Sequence, residues 1–252
     1  VRKNAFQLLQ EREITGEKIG DGWKFIATSN RLSDRSGATA MAAALVNRFS
    51  VIELQPTIEE FSEYGRRAKV WSPILAFFKF RPSLLYSFAP SEWKINTPFC
   101  SPRSVENMSK VVLDWIDDKN IEPGTCPPVP PRHLIAPLIG PSVCGEFCNY
   151  LAVYENIPDP DEVIKNPEKF TAPESLGELW ALTTAMADRV TIDNMNDIYP
   201  QIDKFLQRCP PDFEIAIHKE ISAMTDKEAA ATDTWVEHSL RHKDVYASLH
   251  TV

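Results

Sequence analysis

The chain has 252 residues, 43% of them hydrophobic and 25% charged, enough material for one large core or two modest ones. A formal net charge of -8 argues against a surface built to neutralise nucleic-acid phosphates, because such binding relies on concentrated Lys and Arg. No run approaches the roughly 18 apolar residues that a membrane span needs, and no charged, apolar and small-residue leader opens the chain.

Val1 to Glu13 places Val1, Ala5, Leu8 and Leu9 at helical spacing, with charges between them, which predicts a helix. Thr15-Gly16 and Gly20-Asp21-Gly22 interrupt it and predict a short loop or hairpin. With no initiator Met and a start inside a helical pattern, the chain reads as a fragment.

Trp23 to Thr28 is almost continuously apolar, the composition of a strand covered on both faces. Ser29 and Asn30 follow it. In open parallel sheets ligands lie beyond the carboxyl ends of the strands, so Asn30 is a candidate for chemistry, although Asn also serves simply to turn a chain. Ala38 to Arg48 is rich in helix formers. Arg48 falls in its last turn, where a cation complements the helix dipole or, projecting outward, reaches an anion on a neighbour. Phe49 to Leu54 reads as a second buried strand, stopped by Pro56.

From Thr57 onward the pattern is helical. Ile58 to Val70 is amphipathic, with Ile58, Phe61 and Tyr64 leading one face. Further on, Val105, Met108, Val111, Val112 and Trp115 form a helical stripe. Ser101 suits its N-cap and Pro102 its first position. Arg103 then sits in the first turn, where positive charge is unfavourable unless an anion binds there or a nearby Glu pairs with it.

Residues 121–132 are proline-dense and read as a semi-rigid connector, with Pro127, Pro130 and Arg132 also spelling a PxxPxR pattern. Several helices punctuated by prolines follow. The odd set of five cysteines, Cys100, Cys126, Cys144, Cys148 and Cys209, is no disulfide framework and fits a reducing cytoplasm. VVLDWIDD, residues 111–118, has the look of a Mg²⁺-binding strand end, but the stripe and the N-cap put it on a helix. His238 and His242 have the i, i+4 spacing of paired zinc ligands. HSLRH nevertheless lacks the Glu that would follow the first His in a zinc hydrolase helix.

Ile26-Ala27-Thr28-Ser29-Asn30, Asp34-Arg35-Ser36-Gly37, Ala44 to Phe49, Ser101-Pro102-Arg103-Ser104 and EFCNYLAVYENIPDPDEVI together resemble the MoxR-like branch of the AAA+ ATPases, in their divergent bacterial and phage form. The resemblance runs in order along essentially the whole chain. It implies an α/β segment followed by mostly α structure: residues 1–56 as the C-terminal part of an AAA+ core, 57–120 as a helical lid, 121–132 as the connector and 133–252 as a helical extension.

It further implies that Asn30 is the sensor 1 residue orienting the attacking water. Arg48 would be an arginine finger inserted into the next subunit, and Arg103 the sensor 2 arginine on the bound nucleotide. ATP and Mg²⁺ would be the cofactors of the longer parent, with none held tightly by this portion alone. The partners implied are copies of the chain in a ring, possibly a hexamer, and a client protein, often one bearing a von Willebrand factor A domain. Neither membrane nor nucleic acid is expected. No G-x-x-x-x-G-K-[ST] occurs in the 252 residues, so the nucleotide grip of the family is expected before Val1 and this portion is expected to be inactive alone. The alternative is a stand-alone, inactive interaction module of the same descent.

Overall fold

The computed structural model describes residues 2–30, 42–89, 97–121, 126–225 and 227–244, and divides into two compact units. The first comprises residues 1–55 and 89–93, the second residues 56–88 and 94–252.

The first unit opens with α1 (Arg2–Glu11), which leads into a minimal antiparallel hairpin of β1 (Glu13–Ile14) and β2 (Glu17–Lys18). Glu13 pairs with Lys18 and Ile14 with Glu17. The two-residue loop between them, Thr15-Gly16, has positive φ at both positions (49° and 91°), the geometry that matches the twist of a tight hairpin. The Arg12 guanidinium then donates to the carbonyls of Gly20 (2.7 Å) and Trp23 (2.8 Å), holding the glycine-rich turn against the hairpin.

Beyond it, two of the expected elements do not form. Residues 23–28 and 49–54 form no regular secondary structure and belong to no ladder, and the only strand pairing among the described residues is β1 with β2. Trp23 is 70% exposed, Ile26 93%, Ile52 76% and Leu54 87%, so the predicted buried strands are open to solvent here. The physical reason is that a strand cannot satisfy its own N–H and C=O groups; it needs a neighbouring backbone. Of the helix expected over 38–48, the described part is α2 (Ala43–Val46), with Leu45 its buried residue; residues 31–41 lie outside the described set.

Among the described residues, the regular elements of the second unit are all helical. α3 (Ile58–Arg67) begins with a reciprocal cap: the Glu60 amide donates to Thr57 Oγ1 and the Thr57 amide to Glu60 Oε2, each at 3.2 Å. Phe61, Ser62 and Gly65 are buried, whereas Tyr64 points outward and donates to Glu106 (2.8 Å), so its expected place on the inner face is corrected. Residues 61, 62 and 65 face inward, where α4 passes close by. A Cβ on Gly65 would stand 2.8 Å from Leu75 Cδ2.

α4 (Ser72–Phe80) is the centre of this unit, with every residue from Pro73 to Phe78 buried. A helix apolar on all sides must be enclosed, and α4 packs most extensively on α9 (Leu176–Ala187), with α3 and α7 (Pro141–Leu151) on other faces. Phe77 meets Phe147 and Tyr150 at centroid distances of 5.4 and 5.5 Å.

α5 (Pro102–Asp118) starts at Ser101 as expected and buries Val105, Met108 and Val112. It packs on α6 (Arg132–Ile139), which meets α7 at Gly140, where φ is 85° and a Cβ would stand 3.1 Å from the Pro98 carbonyl oxygen. VVLDWIDD is therefore helical. α8 (Pro160–Lys165), α10 (Met195–Leu206), α11 (Pro211–Met224) and α12 (Asp233–Arg241) complete the unit; α11 lies against α3 and α9, and α12 against α10. All five cysteines are free, and among the described residues no helix is long and apolar enough to cross a membrane.

Candidate functional site

Asn30 and Arg48 lie in the first unit and Arg103 in the second. Asn30 is exposed at the end of the irregular segment 23–30, and its backbone carbonyl accepts a hydrogen bond from the Ser29 hydroxyl (3.2 Å). The Asp34–Gly37 loop lies outside the described residues. Arg48 follows the end of α2 and donates back to the Ala44 carbonyl and to Gln10 Oε1 (3.3 Å). That is the helix-end role of an arginine, satisfying a terminal carbonyl.

Arg103 is exposed in the first turn of α5. Its neighbours Ser101 and Ser104 cap the helix reciprocally, the Ser104 amide donating to Ser101 Oγ (3.3 Å) and the Ser101 amide to Ser104 Oγ (2.9 Å). The nearby Glu106 is taken up by Tyr64 and Lys110 (2.5 Å). Among the described residues Arg103 thus has no carboxylate partner.

Two buried charge networks in the second unit were not anticipated from sequence. One joins α3, α4, α9 and α11. Arg66 pairs with Asp188 and Glu220, and Lys79 pairs with Glu220 and donates to Thr184 Oγ1 (3.2 Å). Burial pushes Lys79 down to about 8, against the pull of Glu220. Burial alone would raise Glu220, but Arg66 and Lys79 outweigh it and hold the carboxyl below its usual range. Two cations on one nearly fully buried carboxylate, Glu220, with only Asp188 partly exposed, form a structural clamp.

The other network carries more chemistry. No family model, curated protein or solved structure matches this chain. The reading of this second network therefore rests on its geometry. Three helices each contribute residues four apart: Tyr199 and Asp203 from α10, Glu214 and His218 from α11, and His238 and His242 from α12 and its C-cap. That spacing sets both members of each pair on one face.

Asp203, Glu214, His218 and His238 are all at most 5% exposed. One donor atom from each lies within 4.8 Å of the others. His218 Nε2 is 2.9 Å from Asp203 Oδ1, His238 Nδ1 is 3.2 Å from Glu214 Oε1, and His242 Nε2 is 2.9 Å from Glu214 Oε2. The two buried imidazole rings stack at 3.6 Å, nearly parallel. Arg241 reaches Asp203 Oδ1 and, at 3.0 Å, Glu214 Oε1.

Burial lowers the pKa of His218, and lowers His238 to about 4 with help from the adjacent His218. Both rings are therefore neutral near pH 7. The two carboxyls are held below their usual range in spite of burial, Asp203 chiefly by His218 and Gln207, Glu214 chiefly by His242 and Arg241. Neutral imidazoles beside ionised carboxylates can accept a divalent cation or pass a proton. Sequence reasoning met only His238 and His242 and set them aside; the signal that would have found the rest is the parallel Glu214-x-x-x-His218 on the preceding helix.

Proposed function

We propose that this chain is the C-terminal portion of a MoxR-like AAA+ ATPase, which couples ATP hydrolysis in a homo-oligomeric ring to the remodelling or assembly of protein partners. The observation that carries the proposal is the pair of apolar-rich, unpaired and largely exposed segments 23–28 and 49–54, which flank Asn30 and Arg48. Such segments need strands from beyond the described residues to complete a sheet, and an AAA+ core supplies that sheet. Arg103, exposed in the capped first turn of α5 and without a carboxylate partner among the described residues, supports the same reading, because backbone amides and the dipole of a helix N-terminus favour an anion beside it.

In this scheme Asn30 orients the attacking water. Arg48 releases Ala44 and Gln10, both exposed contacts, to reach the γ-phosphoryl group in a neighbouring subunit, and Arg103 binds the nucleotide from the helical side. ATP with Mg²⁺ supplies the phosphoryl group, and fixed cations meet the charge spreading over its oxygens as the bond to the leaving group breaks. The phosphate grip belongs to a segment outside these 252 residues. The client is a protein, with a von Willebrand factor A domain as the first type to test.

The deciding experiment uses the full gene product. Arg48→Ala should leave nucleotide binding nearly intact while turnover drops by about 10³-fold or more. Mixing it with a subunit disabled in the P-loop should restore part of the activity. If the full product binds no ATP, the chain is instead an interaction module whose exposed segments pair with another protein's sheet.

A further inference from the structure

Asp203, Glu214, His218 and His238 come from three separate helices and share one buried point, and none of them takes part in the nucleotide chemistry proposed above. We propose that these four residues are a binding site for one divalent transition metal of the zinc class, and that Arg241 holds the cation's place in the metal-free protein.

The donor set is the first argument. Two imidazoles with two carboxylates suit zinc, ferrous or manganous ions, whereas calcium and magnesium favour oxygen ligands throughout. Spacing is the second. Zinc–ligand bonds of about 2.1 Å in a tetrahedron put donor atoms roughly 3.4 Å apart. The His218–Asp203 and His238–Glu214 donor pairs stand at 2.9 and 3.2 Å and the whole set within 4.8 Å, so the donors are already gathered near that spacing.

Orientation is the third. The Tyr199 hydroxyl engages His218 Nδ1, which turns Nε2 into the cluster, and the Gln207 amide donates to Asp203 Oδ2 (2.8 Å). Partners of this kind, on the far side of a ligand, are what fix metal-binding imidazoles and carboxylates. His218 Nε2 is itself fully buried and, although close to Asp203, makes no aligned hydrogen bond. It is a donor atom held at the centre with its lone pair or proton poorly used.

Charge is the fourth. Two buried carboxylates face the single fixed cation of Arg241. A divalent ion would balance both carboxylates by itself. Arg241 can withdraw because its side chain is 31% exposed at the end of α12. Loading also requires the stacked rings of His218 and His238 to splay, since parallel faces cannot both direct in-plane lone pairs at one ion. The part able to move is α12, whose sole fully buried residue is His238.

The test is titration of the chelator-stripped protein with zinc, and with cobalt for its ligand-field spectrum. One ion per chain, tetrahedral cobalt bands and a higher Tm are expected. His238→Ala should weaken binding by at least 100-fold, and Tyr199→Phe by about tenfold. Arg241→Gln is the discriminating variant. Loss of a competing cation should tighten zinc binding, and zinc should recover the Tm that the metal-free variant loses. Should that variant fail to fold, Arg241→Lys and Tyr199→Phe carry the test. Absence of stoichiometric uptake by the wild-type chain overturns the proposal, as does wild-type affinity in His238→Ala.

Discussion

Apolar side chains of the same types meet opposite fates in the two units. Val51, Ile52 and Leu54 in the first unit are between 72% and 87% exposed, while Ile74, Leu75 and Phe78 in the second are at 0%. Hydrophobicity is equal; the backbone differs. A helix closes its own hydrogen bonds and asks neighbours only for side-chain contact, so α4 can be enclosed by α3, α7 and α9 of the same unit. A strand needs another backbone alongside, and among the described residues segments 23–28 and 49–54 pair with none. Burial follows from who supplies the hydrogen bonds, and only then from how greasy the residue is.

The largest effect that would sharpen this contrast lies in the second unit. Glu220→Gln leaves Arg66 and Lys79 buried beside a neutral group, and should destabilise the protein by about 3–5 kcal/mol in urea denaturation. The acid limb gives the same residue a second signature. Because Glu220 is held below its unfolded pKa, its contribution is fully present above that value and is lost as pH falls through the folded one. The variant should therefore show a shallower loss of stability with acid than the wild type.

A middle-sized effect belongs to the start of α5. Ser101→Ala removes the acceptor for the Ser104 amide and should cost about 1 kcal/mol. The smallest expected effect is the one best able to break the contrast. Ile52→Ser, at a 76% exposed site, should change the stability of this chain by less than about 0.5 kcal/mol. A loss several times larger would mean that Ile52 is covered in solution, and the two units would no longer differ in kind.

Legibility in the sequence divides along the same line. The second unit was readable because helices announce themselves locally. Ser101-Pro102 marks the start of α5, and Val105, Met108 and Val112 mark its inner face. Tyr64 was misassigned because spacing alone put it with Ile58 and Phe61, whereas residues 61, 62 and 65 are the ones that face inward, where α4 passes close by. The strands failed as expectations because a pattern of buried apolar residues says nothing of whether the pairing strand is at hand.

Of the candidate site residues, the positions of Arg48 at a helix end and Arg103 in a first turn were legible. The contacts of Arg48 with Gln10, 38 residues away, were not. The buried clusters were the least legible. Asp203, Glu214, His218 and His238 come from three helices, and only tertiary packing brings their charges together.

The full enclosure of α4 has a consequence for how the protein is made. Its principal partner, α9, begins only at Leu176, so about 100 residues must be translated after Phe80 before the covering surface exists. At ordinary synthesis speeds of about 5–20 residues per second, the stretch Ile74–Phe78 spends roughly 5–20 s outside any finished core. During that interval it is the segment of the nascent chain most in need of a holding chaperone. Its ribosome-bound intermediates should be captured by such factors until α9 emerges, and released once it has.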